Sequence, residues 1–348
     1  MSQNMSVTGV NGFVAGHITD QLLQAGCRVR GTVRSMANSQ DLVKLFTGKY
    51  GEDRFELCEV KNIEDEKAFD EAVKDCQYIF HVASPVPSFS SGGDPYKTTI
   101  NPAVTGTLSV LKAAHALGEN GPHRIIITGS ASSIAESNRP KGHIYTETDW
   151  NESVIKLVED QREEAGPIMA YWASKVIAEK ETWKWVDENK AKFETVVLLP
   201  SYIFGPAFYP IASSSSIPST LNMVFAFTST ATTPPMAAHQ PFESFVDVRD
   251  VAAAHMRAAT APAASGKRII VSSAPFSSTR LAHIIDKHFP QLGVERERAN
   301  ADDDDNLEME MDGRLAHQIL GIEYIGLERS IVDTVQSLEH VLQQRSMQ

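Results

Sequence analysis

From Met5 to Leu199 the chain alternates short apolar runs with segments whose apolar residues recur at helical spacing. That alternation predicts a parallel sheet covered by helices on both faces, since a strand buried on both sides reads as an unbroken apolar run. The predicted strands are Met5–Thr8, Arg28–Val33, Phe55–Val60, Tyr78–Val82, Arg124–Thr128 and Thr195–Leu199. Val14, Ile18 and Leu22 stripe a helix between the first two, and Val104, Leu108 and Leu111 stripe another after Asn101. The fold class is therefore α/β: a doubly wound parallel sheet, followed by a smaller, mostly helical C-terminal lobe.

The texture changes at Gly205. As far as about Phe242 the chain is rich in Pro, Ser, Thr and aromatic residues, including Ser213–Ser216 and Pro234-Pro235, and this predicts loop and short helix. Polar insertions at the ends of parallel strands are where α/β enzymes build substrate sites. Phe245–Ala259 then reads as helix, Arg268–Ser272 as a further strand, and the rest from Pro275 as mostly helical. Residues 1–204 and 246–273 are assigned to a dinucleotide-binding domain, and 205–245 and 274–348 to a substrate-binding lobe. The acidic run Asp302–Asp305 lacks the spacing and turn glycine of a calcium loop and reads as solvated loop.

Composition acts mainly by exclusion. A chain of 348 residues can bury a sizeable core, and 42% hydrophobic with 22% charged residues is ordinary for a soluble globular protein. No apolar run approaches the ~20 residues of a membrane span. The opening Met1-Ser2-Gln3-Asn4-Met5-Ser6 has neither a basic nor an apolar leader region, so a cytoplasmic protein is expected. A net charge of −12 without a basic cluster argues against nucleic acid as a partner. Cys27, Cys58 and Cys76 are an odd number without metal-ligand spacing, and read as buried, reduced thiols with no metal.

Candidate chemistry begins directly after the first strand, at Thr8-Gly9-Val10-Asn11-Gly12-Phe13-Val14-Ala15-Gly16. Gly9 permits a tight turn, Gly12 lets backbone approach a pyrophosphate, and the small Ala15 lets helix and strand pack closely, with the helix-start amides facing the phosphates. NAD-binding versions of this Rossmann arrangement carry an acidic residue at the end of the second strand, for the adenosine ribose. Here the chain reads Val33-Arg34-Ser35. A guanidinium suits a 2′-phosphate, so NADPH (NADP) is the expected cofactor.

Tyr171-Trp172-Ala173-Ser174-Lys175 puts a phenol and an ammonium on one helix face. A neighbouring ammonium is expected to lower the phenol's pKa, letting the pair exchange a proton near neutral pH. The buried run Ile125-Ile126-Ile127 leads into Thr128-Gly129-Ser130-Ala131-Ser132-Ser133, hydroxyls at a strand end where ligands bind. Ser130 can hydrogen-bond a carbonyl as negative charge develops on it.

These residues together resemble the extended short-chain dehydrogenase/reductase family, in the branch of dihydroflavonol reductases, cinnamoyl-CoA reductases and yeast-type aldehyde and methylglyoxal reductases. The likeness covers nearly the whole chain. It rests on the glycine turn, Thr32-Val33-Arg34-Ser35, His81-Val82-Ala83-Ser84-Pro85, Asn101-Pro102-Ala103-Val104-Thr105-Gly106-Thr107, Tyr171 with Lys175, Leu199-Pro200-Ser201 leading to Gly205-Pro206, and Phe245-Val246-Asp247-Val248-Arg249-Asp250-Val251-Ala252. The resemblance implies Ser130, Tyr171 and Lys175 as catalytic residues. It implies cofactor contacts from Gly9, Asn11, Gly12, Phe13, Val14, Arg34, Ala83, Ser84, Tyr171 and Lys175, with Pro200 and Ser201 at the nicotinamide.

Three departures from the family pattern stand out. Gly129-Ser130 replaces Ser-Ser, leaving Ser130, Ser132 or Ser133 as the catalytic serine; Asn62-Ile63 stands where an aspartate is common, and remains a cofactor contact because asparagine can still reach the adenine amino group; and the short, polar amino terminus leaves open whether the first strand is frayed. The expected reaction is NADPH-dependent reduction of a small-molecule aldehyde or ketone, with Tyr171 as proton donor. Two alternatives stand beside it: a nucleotide-sugar epimerase or dehydratase, which shares the fold and the tyrosine-lysine pair but against which Arg34 argues, and a regulator that senses NADPH without chemistry and needs neither Tyr171 nor Lys175. Phe204, Phe208, Tyr209, Phe225 and Phe227 suit an apolar or aromatic substrate or equally a plain core, and His143, Tyr145 and His239 are further candidate contacts. Substrate identity and oligomeric state have no sequence signature.

Overall fold

Ile125, Ile126 and Ile127 are all buried, which an unbroken apolar run achieves only in a strand covered on both faces. The structure, a computed structural model, describes residues 3–85, 93–136, 139–140, 142–228, 244–294 and 311–346. The strands are β1 Asn4–Val7, β2 Arg28–Val33, β3 Phe55–Glu59, β4 Tyr78–His81, β5 Arg124–Thr128, β6 Glu194–Pro200, β7 Tyr202–Phe204, β8 Ser244–Asp247, β9 Arg268–Val271 and β10 Ala274–Pro275. Among the described residues, seven of them form one parallel sheet in the order β3-β2-β1-β4-β5-β6-β9. The other three form a second sheet, β10-β8-β7.

The helices are α1 Phe13–Gln24, α2 Gln40–Tyr50, α3 Asp70–Val73, α4 Asn101–Ala116, α5 Glu152–Gln161, α6 Gly166–Glu188, α7 Ser219–Phe227, α8 Val248–Thr260, α9 Ser278–His288, α10 Arg314–Leu320, α11 Leu327–Ser337 and α12 Glu339–Ser346. One apolar cluster joins α1, α8 and α10 to one face of the large sheet, and another joins α3, α4 and the end of α6 to the opposite face. This is the doubly wound fold. A third cluster packs β7, β8, α7, α9 and α11 around Phe204, Phe245 and Phe276 in the C-terminal lobe.

One question left open by the sequence is answered, and three expectations need correction. The first strand is not frayed: β1 lies between β2 and β4, its Met5, Ser6 and Val7 are buried, and hydrogen bonds tie it on both edges. Pairing of both backbone edges outweighs polar composition, although the Ser6 hydroxyl is left buried without a hydrogen-bond partner among the described residues. The apolar stripe of α4 runs through Ala103, Val110, Leu111 and Ala114, while Val104 and Leu108 are half-buried, because α4 packs on α6 as well as on the sheet.

Phe245–Ala259 is not one helix, since β8 runs straight into α8 and the Asp247 carboxylate caps that helix by accepting from Arg249 N at 2.9 Å. Only Cys76 is fully buried among the three free thiols, with Cys27 and Cys58 half-buried; burial raises all three, Cys76 to about 11. Pro234-Pro235, His239 and Asp302–Asp305 lie outside the described residues. Among the described residues no helix is long and apolar enough to cross a membrane.

Candidate functional site

The ends of β1, β4, β5 and β6 lie side by side in the sheet, and the candidate residues sit on the segments that leave them. Thr8 joins the first two. Its hydroxyl accepts the N–H groups of Val82 and Ala83, each at 2.9 Å. With both lone pairs engaged, it donates to His81 Nδ1 at 3.1 Å. Gly9 N donates to Thr32 Oγ1 at 3.0 Å. Gly9 has φ +69°, and a Cβ there would lie 3.1 Å from Ala83 Cβ, so the turn after β1 is pressed against the loop after β4.

Asn11 and Gly12 are exposed, and Gly12 caps the start of α1 without a side-chain hydrogen bond, so among the described residues the first-turn amides have no side-chain cap. Val14 packs against the α1 side of the core. Phe13 turns its ring towards Ile211 and Leu338 of the lobe, so what it offers the turn is backbone. Arg34 is exposed at the end of β2 and forms no ion pair among the described residues. Asn62 is engaged in its own turn, donating to Asp65 Oδ1 at 3.0 Å and accepting from Glu64 N at 3.1 Å. Ile63 fills the space at Gly106 of α4, where a Cβ would lie 2.6 Å from Ile63 Cδ1.

After β5 the chain makes a single turn of tight helix, Ala131–Ser133, with Ser130 as its cap. Ser130 Oγ accepts from Ser132 N at 3.2 Å and from Ser132 Oγ at 2.9 Å. Ser133 points elsewhere: its Oγ lies 2.8 Å from Glu179 Oε2 on α6. Asn151 clasps the same turn, its side-chain nitrogen donating to Ser132 O at 3.1 Å and its backbone N–H to Ser133 O at 2.9 Å.

Tyr171 and Lys175 lie one turn apart on α6, with Lys175 Nζ 5.6 Å from the Tyr171 ring centroid. Ser130 is the serine that faces the phenol. Its hydroxyl favours the phenolate, although the two side chains do not reach full hydrogen-bond geometry, which in catalytic sites commonly tightens only with substrate bound. The expected direction of the tyrosine shift is corrected. Burial raises the Tyr171 hydroxyl above its usual value and only Ser130 opposes it. The same burial pushes Lys175 down to about 8, so its ammonium is itself disfavoured.

A small cavity beside Lys175 is bordered by His81, Ala83, Ser84, Thr128, Gly129 and Glu179, joining residues from the ends of two strands, β4 and β5, and α6. His81 is held neutral by burial and by Lys175, its pKa near 3. Pro200 ends β6, and the next hydroxyl, Ser201 Oγ, is buried without a hydrogen-bond partner among the described residues.

The lobe aromatics divide in two. Phe204, Phe225 and Phe227 are core, which is the plain alternative read in the sequence. Phe208 and Tyr209 lie over α1: Phe208 stacks on Phe46 with centroids 5.6 Å apart, and Tyr209 Oη donates to Val10 O at 2.6 Å. Gly16 makes that approach possible, since a Cβ there would lie 2.9 Å from the Tyr209 ring. His143 pairs with Asp149 at 3.3 Å, and Tyr145 is buried with its hydroxyl on Glu136 O.

Sequence reasoning missed Tyr209 as a partner of the glycine turn, and it missed the Glu179 network. Glu179 accepts from Arg268 Nε at 2.6 Å, Arg268 Nη1 donates to Glu147 O and Asp149 O at 2.8 Å each, and its guanidinium lies 3.5 Å from the Trp150 ring centroid. The one available signal was a glutamate four residues after Lys175, on the face shared with it.

The description "NAD dependent epimerase/dehydratase family" belongs to the family model that matches residues 5–272. An uncharacterized oxidoreductase of Schizosaccharomyces pombe is 34% identical over 337 residues, covering 95% of this chain and 96% of that protein. Aldehyde reductase 2 of Sporidiobolus salmonicolor is 32% identical over 289 residues, covering 82% and 80%. The crystal structure of yeast methylglyoxal/isovaleraldehyde reductase Gre2 complexed with NADPH is similar with a TM-score of 0.82 and 27% identity, covering 99% of each chain.

Proposed function

This chain belongs to the NAD dependent epimerase/dehydratase family, and from that premise we propose that it is an NADPH-dependent reductase converting an aldehyde or ketone to an alcohol. The observation that carries this reading is the meeting of a serine hydroxyl, a burial-raised phenol and a buried lysine beside the glycine turn. The named functions of the aldehyde reductase and of Gre2 support it.

The residues present fit the cofactor. Gly9, Asn11, Gly12 and the uncapped amides of α1 would hold the pyrophosphate, and the exposed Arg34 the 2′-phosphate. Ala83, Ser84 and Lys175 would border the ribose, with Pro200 and the unpartnered Ser201 hydroxyl at the nicotinamide end. When bound, NADPH supplies the hydride for the carbonyl carbon. Tyr171 gives its proton to the carbonyl oxygen as charge develops there, and its raised pKa keeps that proton available at neutral pH. Ser130 donates a hydrogen bond to the same oxygen. Lys175 holds positive charge beside the phenol.

An epimerase or dehydratase retaining NAD would want a carboxylate where Arg34 stands. The test is oxidation of NADPH and of NADH across aldehydes, diketones and aryl ketones, for the unmodified protein and Arg34→Asp. Preference for NADPH by at least about tenfold, on the order of 1.4 kcal/mol, and its loss in Arg34→Asp are expected. Equal use of both cofactors removes the Arg34 argument, and NADPH binding without turnover of any carbonyl favours a sensing role.

A further inference from the structure

A serine hydroxyl has one proton to give and two lone pairs that accept. Ser130 Oγ has both lone pairs engaged by one residue, Ser132, whose backbone N–H lies at 3.2 Å and whose hydroxyl at 2.9 Å. Ser132 is only 2% exposed, so its hydroxyl is shielded from bulk water. The turn that carries it is clasped by Asn151 and, through Ser133, by Glu179, so neither serine is free to move away. What Ser130 has left to offer is its proton.

We infer that Ser132 is a positioning residue that fixes the polarity of Ser130, making it a hydrogen-bond donor towards Tyr171 and the substrate oxygen. The inference rests on the catalytic reading of Ser130 and Tyr171. Its consequence lies in the direction of proton flow. An unconstrained Ser130 can rotate and accept from the Tyr171 hydroxyl, which ties up the proton that the forming alkoxide needs. With its lone pairs filled, Ser130 does not compete for that proton, and Tyr171 has only the substrate oxygen to give it to. This accounts for the departure noted in the sequence: Ser132 is not a rival for the catalytic serine, but the residue that sets what Ser130 can do.

The test compares the unmodified protein with Ser132→Ala and Ser132→Cys, and runs Ser130→Ala and Tyr171→Phe in parallel. Carbonyl reduction gives kcat and KM, fluorescence titration gives NADPH affinity, and the pH profile of alcohol oxidation reports ionisation of Tyr171. Ser132→Ala is expected to lower kcat about five- to tenfold, the equivalent of one net hydrogen bond, with KM and NADPH affinity within about twofold. The acid limb of alcohol oxidation should move to higher pH, because Ser130 no longer donates constantly to the phenol oxygen. A purely structural loss leaves that limb in place.

Ser132→Cys keeps the side-chain shape with a slightly larger atom and a weak donor, and should change kcat and the limb in the same direction even if the alanine variant fails to fold. Loss of rate in Ser130→Ala and Tyr171→Phe together with an unchanged limb and kcat in the Ser132 variants overturns the role of Ser132 alone. Unchanged rates in Ser130→Ala and Tyr171→Phe overturn the site itself, and this inference with it.

Discussion

At the scale of single residues, the pair Tyr171 and Lys175 was legible from spacing, but its electrostatics were not. Proximity of an ammonium argued for an acidic phenol; burial of both groups reverses that, because desolvation disfavours phenolate and ammonium alike. Burial depends on what α6 packs against, and no local sequence signal carries that. The same reason explains why Ser130 could be placed at the strand end but not separated from Ser132 and Ser133. A pH dependence follows. Lys175, usually near 10.5, is pushed down to about 8, so its ammonium is lost as pH rises through that value in the free protein. The kcat/KM for NADPH, which reports the free enzyme, should therefore fall above about pH 8 by roughly tenfold per pH unit. A profile flat to about pH 10 contradicts a charged Lys175 in cofactor binding.

At the scale of elements, the seven strands of the large sheet were readable to within a residue or so at each end; β5, β6 and β9 announce themselves as apolar runs, whereas the more polar β1, β2 and β3 are marked by their place between turn signals and helix-period segments. The second sheet was not readable. Its strands are two to four residues long, and β7 pairs with β8 across an intervening segment that looks like loop, so neither length nor periodicity marks them. The link from the lobe to the glycine turn is also a matter of tertiary placement. Tyr209 Oη holds Val10 O at 2.6 Å from the far side of α1. Tyr209→Phe leaves that carbonyl without this partner, at a cost of about 1–3 kcal/mol shared between fold and cofactor site. A few-fold weaker NADPH affinity by fluorescence titration and a lower Tm are expected. Unchanged values of both show that the lobe does not brace the turn.

At the scale of the whole molecule, the joint between α8 and the tail carries a buried carboxylate. Asp250 accepts from Ile325 N at 2.8 Å, yet burial raises it from 3.8 to about 6. An acid whose pKa is raised on folding holds its proton more tightly in the folded state, so its contribution is most favourable below about pH 4 and is lost as pH rises through 6. Asp250→Asn keeps an acceptor for Ile325 and removes the charge. It should raise stability near neutral pH, by about 1–3 kcal/mol in denaturant unfolding, and give no gain near pH 4. An equal effect at both pH values contradicts the buried charge.

The function of the molecule turns on one proton transfer. Tyr171→Phe removes only the phenolic oxygen, leaving the ring to fill its space, and kcat for carbonyl reduction measured beside NADPH affinity separates chemistry from binding. The account predicts a fall in kcat of about 10²- to 10⁴-fold with NADPH affinity retained. A folded Tyr171→Phe protein that binds NADPH and reduces its carbonyl substrate at the original rate contradicts it.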